Sequence, residues 1–385
     1  MSQTFRALLI GTGCVADTHF RSVADTRGAV QLVAAVDVDH ARVRAFAERH
    51  KIPTTYTDVT AALREVRPDL VIIASPPATH TALTIAALEA GAWVLCEKPF
   101  CSSLADLDRV EETEKRTGRF ATCVFQQRFG SSTEHVRRLA ASGMLGRPLV
   151  AVCNTLWYRD AAYYAVPWRG RWATELGGPT MGLGIHAMDH LLHLIGDWAE
   201  VRAQVATLDR SIEIEDVSMA LIRFANGALA SVVNSALSPR QETYIRLDYQ
   251  HATIELTHLY GYTRDNWRFT PQPGAPPAGS ALEQAWRDFP IDTGASHAAQ
   301  LADFVASMDA RTRPLTSGDD ARRTHELLTA IYKSAFTGQP VARGSIGRHD
   351  PFYQSLSGGL SPWRAKNTRT DVYDNGASVS ATGVR

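Results

Sequence analysis

Residues 5–125 alternate short apolar runs with longer amphipathic stretches, and this rhythm constrains the fold more than any other feature. The apolar runs cover residues 7–10, 32–36, 70–74, 93–96 and 122–125, and helical patterns cover 41–50, 79–90 and 104–117. Continuous apolar runs of this length are typical of parallel strands that helices cover on both faces. The sequence therefore predicts an α/β fold whose first domain, residues 1–125, is a doubly wound parallel sheet of the Rossmann type.

The loop after the first run has the spacing GxGxxA and opens a helical stretch. It consists of Gly11, Thr12, Gly13, Cys14, Val15 and Ala16. Glycine permits the tight turn and lets backbone N–H groups approach a pyrophosphate, which the partial positive charge of the helix N-terminus also favours. The loop predicts a dinucleotide site, with a plain strand-to-helix turn as the alternative.

Asp37 ends the second run, where an acidic side chain can accept hydrogen bonds from the ribose hydroxyls of the cofactor. A carboxylate there repels a 2′-phosphate, and Asp39 follows closely, so NAD is favoured over NADP. Arg42 and Arg44, one helical turn further on, keep NADP open. Asp37 could instead cap the next helix.

Two further strand ends supply polar residues to the same edge of the sheet. Ser75 and Pro76 begin a turn that two prolines force on the chain, and His80 follows in the first turn of a helix. We expect Ser75, Pro76 and His80 to lie near the cofactor, although His80 also fits ordinary helix polarity. The next run ends in Glu97-Lys98-Pro99.

Four motifs in order carry a family resemblance: the Gly11–Ala16 loop, Ala74-Ser75-Pro76-Pro77-Ala78-Thr79-His80, Glu97-Lys98-Pro99, and Gly184-Ile185-His186-Ala187-Met188-Asp189. This set resembles the glucose–fructose oxidoreductase, inositol dehydrogenase and rhizopine-catabolism family, Gfo/Idh/MocA, over residues 5–340. The resemblance implies a second α/β domain with a large open, mostly antiparallel sheet that often forms an oligomer interface. It also implies that substrate lies between the domains near the nicotinamide, and that Glu97 and Lys98 face the cofactor.

The second domain is predicted over residues 126–343. Strand-like segments cover 149–156, 201–208, 217–224, 229–233, 244–249 and 253–256, and Asn226-Gly227 between two of them indicates an antiparallel hairpin. Residues 261–290 are rich in Gly and Pro and are expected to form a loop. Helices at 297–308 and 321–336 are expected to pack back on the first domain, and residues 344–385 are predicted to form an extended tail.

Aromatic and arginine residues cluster between the first two strands of this domain. Aromatic faces stack on sugar C–H surfaces, and guanidinium groups hold carboxylates or several hydroxyls. The predicted substrate contacts are Gln126, Arg128, Tyr158, Arg159, Trp168, Arg169, Arg171 and His186. An ordered insertion packed against a neighbouring subunit is an equally weighted alternative.

The resemblance implies that Lys98 polarises the reacting oxygen and that His186 relays or accepts the proton. Many relatives place an aspartate four residues before this histidine, whereas this chain has Gly182. Asp189 or Tyr158 is the candidate to assist. His186 and His190 are spaced for a zinc site, but no HExxH glutamate accompanies them, so no metal is predicted.

The net charge bears on the class of binding partner, and the cysteines bear on the cellular compartment. Forty basic and forty acidic residues give a formal net charge of +0, which favours neither nucleic acid nor an anionic membrane. Five cysteines without CxxC spacing predict free thiols and a cytoplasmic location, and no apolar run is long enough to span a membrane.

The sequence thus predicts an NAD-dependent oxidoreductase that acts on a sugar, sugar acid or cyclitol by hydride transfer, and it predicts a homo-oligomer. A redox-neutral, NAD-dependent glycoside hydrolase and a non-enzymatic dinucleotide sensor are the alternatives.

Overall fold

The computed structural model describes residues 4–273, 278–288 and 293–360, and within them the chain forms two sheets. The strands are β1 (Phe5–Ile10), β2 (Val30–Val36), β3 (Thr54–Tyr56), β4 (Leu70–Ile73), β5 (Trp93–Cys96), β6 (Ala121–Cys123), β7 (Pro148–Tyr158), β8 (Trp198–Ala206), β9 (Val217–Phe224), β10 (Leu229–Ser235), β11 (Leu237–Tyr249), β12 (Ala252–His258), β13 (Trp267–Pro271) and β14 (Val341–Ala342).

Helices connect and cover these strands. They are α1 (Ala16–Asp25), α2 (His40–His50), α3 (Val59–Val66), α4 (His80–Glu89), α5 (Leu104–Thr117), α6 (Ser131–Ala141), α7 (Ala161–Tyr164), α8 (Trp172–Glu175), α9 (Pro179–Gly182), α10 (Ile185–Ile195), α11 (Ala278–Arg287), α12 (His297–Ala310), α13 (Asp319–Thr337) and α14 (Pro351–Gln354). None of these helices is long and apolar enough to cross a membrane.

The first sheet confirms the Rossmann prediction. Its six strands are all parallel, in the order β3-β2-β1-β4-β5-β6. The strand order reverses beside β1, and the carboxyl ends of β1 and β4 therefore flank the crevice where ligands of open α/β sheets bind. All four residues of β4 and of β5 are buried, which explains why these strands are continuous apolar runs in the sequence.

The second sheet has eight strands in the order β13-β12-β11-β7-β10-β9-β8-β14. Only the β7–β10 pair is parallel, so the predicted mostly antiparallel sheet is confirmed. The predicted hairpin at Asn226-Gly227 joins β9 to β10, and Gly227 has a φ of 91°, which its lack of a Cβ permits. Helices α10 and α13 pack on one face of this sheet.

Two segments depart from the sequence predictions. The region expected to be a loop, residues 261–290, contains β13 and α11, because Trp267 and Leu282 carry enough apolar surface to join the core. The predicted extended tail begins instead with a packed segment that reaches residue 360. Phe352 and Tyr353 are buried there, and Tyr353 donates a 2.6 Å hydrogen bond to Asp108 of α5. The rest of the predicted tail lies outside the described residues.

Late parts of the chain complete the first domain. Leu301 and Phe304 of α12 lie in the same apolar cluster as β1 and β4. The side-chain amide of Gln300 accepts a 3.0 Å hydrogen bond from the N–H of Phe125 and donates a 2.7 Å bond to the carbonyl of Cys123. The N–H of Cys123 donates to the carbonyl of Thr316 at 3.0 Å, so residues from positions 300 and 316 satisfy the exposed edge of β6.

Candidate active site

The GxGxxA loop lies between β1 and α1 at the carboxyl edge of the first sheet. Gly11 has a φ of 92°, and a Cβ there would lie 2.6 Å from the carbonyl oxygen of Ala74, the residue after β4. Gly13, in contrast, has open space where a Cβ would point. The loop therefore keeps a bare surface over the crevice, as close approach of a pyrophosphate requires, with Thr12, Cys14, Val15 and Ala16 leading into α1.

Asp37 is buried at the end of β2 and faces this loop. Its carboxylate accepts hydrogen bonds from the N–H and the hydroxyl of Thr12, both at 2.9 Å, and from the N–H of Asp39 at 3.0 Å. Burial works against ionisation, but these hydrogen bonds outweigh it and lower the pKa of Asp37. Arg42 lies 3.4 Å from the same carboxylate. The charged acceptor expected for the ribose is thus present beside the loop, and helix α2 is capped by Asp39 instead.

His80 is completely buried and holds two turns of the same edge together. One ring nitrogen lies 2.7 Å from the carbonyl of Pro99 and the other 2.9 Å from the carbonyl of Ser75. Burial lowers the pKa of His80, although both carbonyls favour a proton. Direct cofactor contact, predicted for His80, is not compatible with this burial, and its role is to position the turns of Ser75-Pro76 and Lys98-Pro99.

Glu97 lies at the centre of a buried cluster with two histidines. His19 of α1 is 2.9 Å from its carboxylate and His297 of α12 is 3.4 Å away. Although burial alone would raise it, the hydrogen bonds from both imidazoles hold the pKa of Glu97 well below its usual range. These donor atoms lie within 4.8 Å of one another and are spaced for a metal ion, but the shared hydrogen bonds already account for the cluster. The cluster connects α1, which follows the glycine loop, to the turn that carries Lys98.

Lys98 and His186, the two predicted catalytic residues, lie near enough for the charge of Lys98 to act on the imidazole. The Lys98 ammonium donates a 2.5 Å hydrogen bond to the carbonyl of Gly182, which precedes His186 by four residues. Burial lowers the pKa of Lys98, and burial together with the charge of Lys98 holds the pKa of His186 well below its usual range. Lys98 has no ion-pair partner within 4.0 Å in the described part of the chain, and the buried Nδ1 of His186 has no hydrogen-bond partner there.

The elements that carry Lys98 and His186 fix the positions of these two side chains. Lys98 follows β5 directly, and His186 lies in the first turn of α10, whose apolar residues Met188, Leu191 and Leu192 anchor it in the core. Phe125 contacts the His186 ring edge-on, with centroids 6.3 Å apart. The next residue, Gln126, has a buried side-chain oxygen without a hydrogen-bond partner among the described residues.

A carboxylate that the sequence did not point to completes this group. Glu175, at the end of α8, is buried and accepts hydrogen bonds from Arg169 at 2.9 Å and from the N–H of Gly170 at 2.6 Å. The Arg169 guanidinium lies over the rings of Tyr163 and Trp168, 3.8 Å and 4.2 Å from their centroids. Arg169 is therefore already neutralised, and Arg171 is exposed at the start of α8.

Arg159 differs from Arg169 because no carboxylate lies within 4.0 Å of it in the described residues. Its guanidinium is 4.8 Å from the ring centroid of Trp157 and donates a 3.1 Å hydrogen bond to the hydroxyl of Tyr260. Side chains alternate along β7, so Trp157 is buried whereas Tyr158 is 41% exposed and lies under Arg210. Tyr158, predicted to assist catalysis, points away from the side that Trp157 occupies.

Arg128 and Asp189, predicted to bind substrate and to assist catalysis, instead pair with each other. The Nε of Arg128 donates to Asp189 at 2.5 Å, and both side chains are 1% exposed. Asp320 and Thr324 complete the arrangement from α13. Since their polar atoms are fully engaged with each other, the structure corrects both predictions to a structural role.

His190 also belongs to the core. It is fully buried, lies 2.8 Å from the hydroxyl of Thr133 and stacks on Tyr262 with centroids 5.6 Å apart. One ring nitrogen of His190 is therefore engaged with Thr133 inside the core.

Together, the Rossmann crevice and the lysine–histidine pair at its edge define a dinucleotide-dependent oxidoreductase. Comparison with known proteins agrees with this class. Residues 5–125 match the oxidoreductase family with an NAD-binding Rossmann fold, and residues 133–255 match the GFO/IDH/MocA C-terminal domain. The chain belongs to the GFO/IDH/MocA family, as the four motifs predicted, and NAD is its cofactor.

Relatives cover nearly the whole chain. The D-glucoside 3-dehydrogenase of Escherichia coli (strain K12) is 26% identical over 88% of this chain and 98% of its own length. The D-apiose dehydrogenase of Paraburkholderia graminis is 28% identical over 92% of this chain and 94% of its own. In fold, the chain is similar to the WlbA dehydrogenase from Bordetella pertussis in complex with NADH and UDP-GlcNAcA, with a TM-score of 0.78, 24% identity, and coverage of 88% and 99%.

Proposed function

We propose that this protein is an NAD-dependent dehydrogenase that oxidises a carbinol of a sugar, sugar acid or cyclitol to the ketone, or reduces the ketone. The observation that carries the proposal is the pair formed by Lys98 and His186. Both are largely buried at the edge of the cofactor crevice, and neither has a carboxylate partner within ion-pair distance in the described residues. The named dehydrogenases among its relatives support the carbohydrate class.

Lys98 is the group that we assign to the reacting oxygen. Its Nζ uses one proton on the carbonyl of Gly182 and has two further N–H bonds for a substrate hydroxyl or carbonyl. Burial lowers the pKa of Lys98, which favours the neutral amine as a base in oxidation, and the charged form would donate to a carbonyl in reduction. Burial and Lys98 keep His186 neutral, so its imidazole can accept or relay the same proton.

The cofactor site fits NAD. Bound NAD supplies the hydride acceptor. The bare Gly11 and Gly13 surface is suited to the pyrophosphate, and Asp37, held ionised by Thr12 and Asp39, is suited to the ribose hydroxyls and opposes a 2′-phosphate.

For the substrate, Arg159 favours a sugar acid over a neutral sugar. Among the predicted arginine contacts, Arg159 and Arg171 have no carboxylate within 4.0 Å in the described residues. Arg171 is exposed, whereas Arg159 is half-buried and stacks on Trp157, which places an aromatic face beside its charge. Gln126 offers a hydroxyl a side-chain oxygen that accepts no hydrogen bond from any residue the structure describes. Arg159→Gln should raise KM for a sugar acid about 10- to 100-fold, as loss of a charge-assisted hydrogen bond predicts, and leave KM for the matching neutral sugar unchanged. Equal effects on both substrates would remove the acid preference.

The main experiment measures NADH formation with a panel of free sugars, sugar acids, cyclitols and glycosides. Lys98→Ala should reduce kcat about 10²- to 10⁴-fold while NAD affinity stays the same. Lys115→Ala, at an exposed position of α5, is the matched control. Release of an aglycone without net NADH would favour the redox-neutral hydrolase, and full activity of Lys98→Ala would refute the assignment of Lys98.

We further propose that two copies associate through the outer face of the second sheet. Met219, Leu221 and Leu229 are 55%, 65% and 56% exposed there, and Leu229 pairs with Val150 of β7, itself 47% exposed. Arg223 and Ser231 lie beside these residues on the same face, and apolar side chains bordered by polar ones are typical of an interface. Leu221→Lys should lower the mass measured by light scattering to that of a smaller species, whereas Leu208→Lys, in the loop after β8, should not. The cytoplasmic location stays a prediction.

A further inference from the structure

The charge environment of Lys98 differs on its two sides. On the β5 side, Glu97 is committed to His19 and His297. On the other side, the chain has glycine at position 182, whose carbonyl receives the lysine proton. Glu97 nevertheless favours the charged form of Lys98 from the β5 side, whereas residue 182 supplies only a carbonyl on the other side.

Glu175 lies where a side chain at position 182 would point. A Cβ built on Gly182 has one atom within 4 Å, the Oε1 of Glu175 at 3.9 Å. The backbone of residue 182 is helical in α9, a conformation that other residues can adopt. A carboxylate is therefore absent from this position because the residue is glycine, and not because the backbone excludes a side chain. The carboxylate of Glu175 thus borders the same space as the Lys98 hydrogen bond to Gly182.

The surroundings hold Glu175 in one orientation. Both carboxylate oxygens are used, one by Arg169 and the other by the N–H of Gly170, and Tyr163 and Trp168 pack on the guanidinium. Glu175 is 5% exposed, so its field on Lys98 is only weakly screened. An ordinary surface glutamate would not be fixed in this way.

We propose that Glu175 is a positioning residue of the active site that supplies the carboxylate absent from position 182 and stabilises the charged form of Lys98. Arg169 holds Glu175 in place and limits its effect. The catalytic consequence rests on the dehydrogenase function proposed above, but the electrostatic relation between Glu175 and Lys98 does not.

The titration of Lys98 also depends on other groups around it. Those that face it are Glu97, Arg169, Glu175, Cys123, His186 and His80. Of these, Glu97 and Glu175 favour the charged lysine and Arg169 opposes it. Removing the charge of Glu175 while keeping its shape should therefore lower the pKa of Lys98.

The test is Glu175→Gln, read out by competitive acylation of lysines as a function of pH, with mass spectrometry of the peptide that contains Lys98. Lys51 and Lys115, both exposed, are internal references in the same sample. Two unit charges about 4 Å apart near a protein surface would shift a pKa by about 3 units, and Arg169 compensates most of the Glu175 charge, so the pKa of Lys98 should fall by about 0.5 to 1 unit. In a Glu175→Gln protein that also carries Gly182→Asp, the value should return, whereas Gly182→Asn in the same background should not restore it.

An unchanged Lys98 pKa in folded Glu175→Gln would overturn the proposal, as would equal rescue by Gly182→Asp and Gly182→Asn. If Glu175→Gln does not fold, Gly182→Asp in the wild-type protein tests the proposal instead. A carboxylate at position 182 should raise the pKa of Lys98. Once a substrate is identified, kcat can be measured as a function of pH. The part of this pH profile that depends on Lys98 should move to lower pH in Glu175→Gln. A shifted Lys98 pKa in a protein that oxidises no carbohydrate would refute the proposed substrate class and retain the role of Glu175.

Discussion

Replacing Asp189 by Asn separates a structural role from a catalytic one. The substitution keeps the shape of the side chain but removes the charge that faces Arg128, and both partners are 1% exposed. Breaking a buried ion pair costs about 3–5 kcal/mol, because the remaining charge is left without compensation. Asp320 stays on the other side of the guanidinium, so the expected loss is at the lower end, about 3 kcal/mol.

The assay is urea unfolding, followed by fluorescence, of Asp189→Asn beside Asp197→Asn. Asp197 follows the same helix and pairs with Arg323 and Arg343, but its side chain is 49% exposed, so its loss should cost about 0–1 kcal/mol. Below the unfolding transition, kcat of Asp189→Asn should remain within a few-fold of wild type. A protein of unchanged stability and strongly reduced kcat would refute the structural role and restore Asp189 as a catalytic group.

Three further changes test the cofactor crevice and the core. Asp37→Ser should weaken NAD binding roughly tenfold and improve NADP binding, because the carboxylate that opposes a 2′-phosphate is removed and Arg42 keeps only its exposed ion pair with Asp39. Arg42→Ala in the same protein should cancel the gain, as dissociation constants from NAD(P)H fluorescence would show. Gly11→Ala should cost about 1–3 kcal/mol and abolish NAD binding, since its Cβ meets main-chain atoms at 2.6 Å, whereas Gly13→Ala should keep the melting temperature. Burial lowers the pKa of His258 to about 4, so below pH 6.5 the unfolded chain binds a proton at this residue that the folded chain does not bind. The free energy of unfolding should therefore fall by up to about 3 kcal/mol as the pH drops from about 6.5 to 4. The same pH series for His258→Gln should lack this part of the loss.

The first domain could be predicted from sequence because each of its signals is local. A strand buried on both faces is apolar throughout, as β4 and β5 are, and the glycine loop follows β1 without interruption. The short β3, with half-exposed residues, carries no such pattern and was not predicted. Local signals also placed Lys98 and His186 at the ends of elements, although only the fold brings them together.

The roles of charged residues in the second domain could not be derived in the same way. Arg128 looks like a ligand contact in sequence, but its partner Asp189 lies 61 residues away, and no local pattern records the pair. Glu175 gave no signal because it lies in a four-residue helix within the arginine-rich segment. His19 is the exception, since its position in the helix after the glycine loop could have suggested a buried contact with the strand ends.

The closure of the β6 edge by Gln300 and Thr316 has a consequence for how the protein is made. During synthesis, the cofactor-binding domain leaves the ribosome first, yet the groups that satisfy Cys123 and Phe125 follow nearly 200 residues later, at spacings of 193 and 175. Until then the nascent chain exposes an unpaired strand edge and the apolar surface that Leu301 and Phe304 later cover. A fragment ending at residue 125 should therefore be prone to aggregation, and completion of the nucleotide site should be a late event in folding.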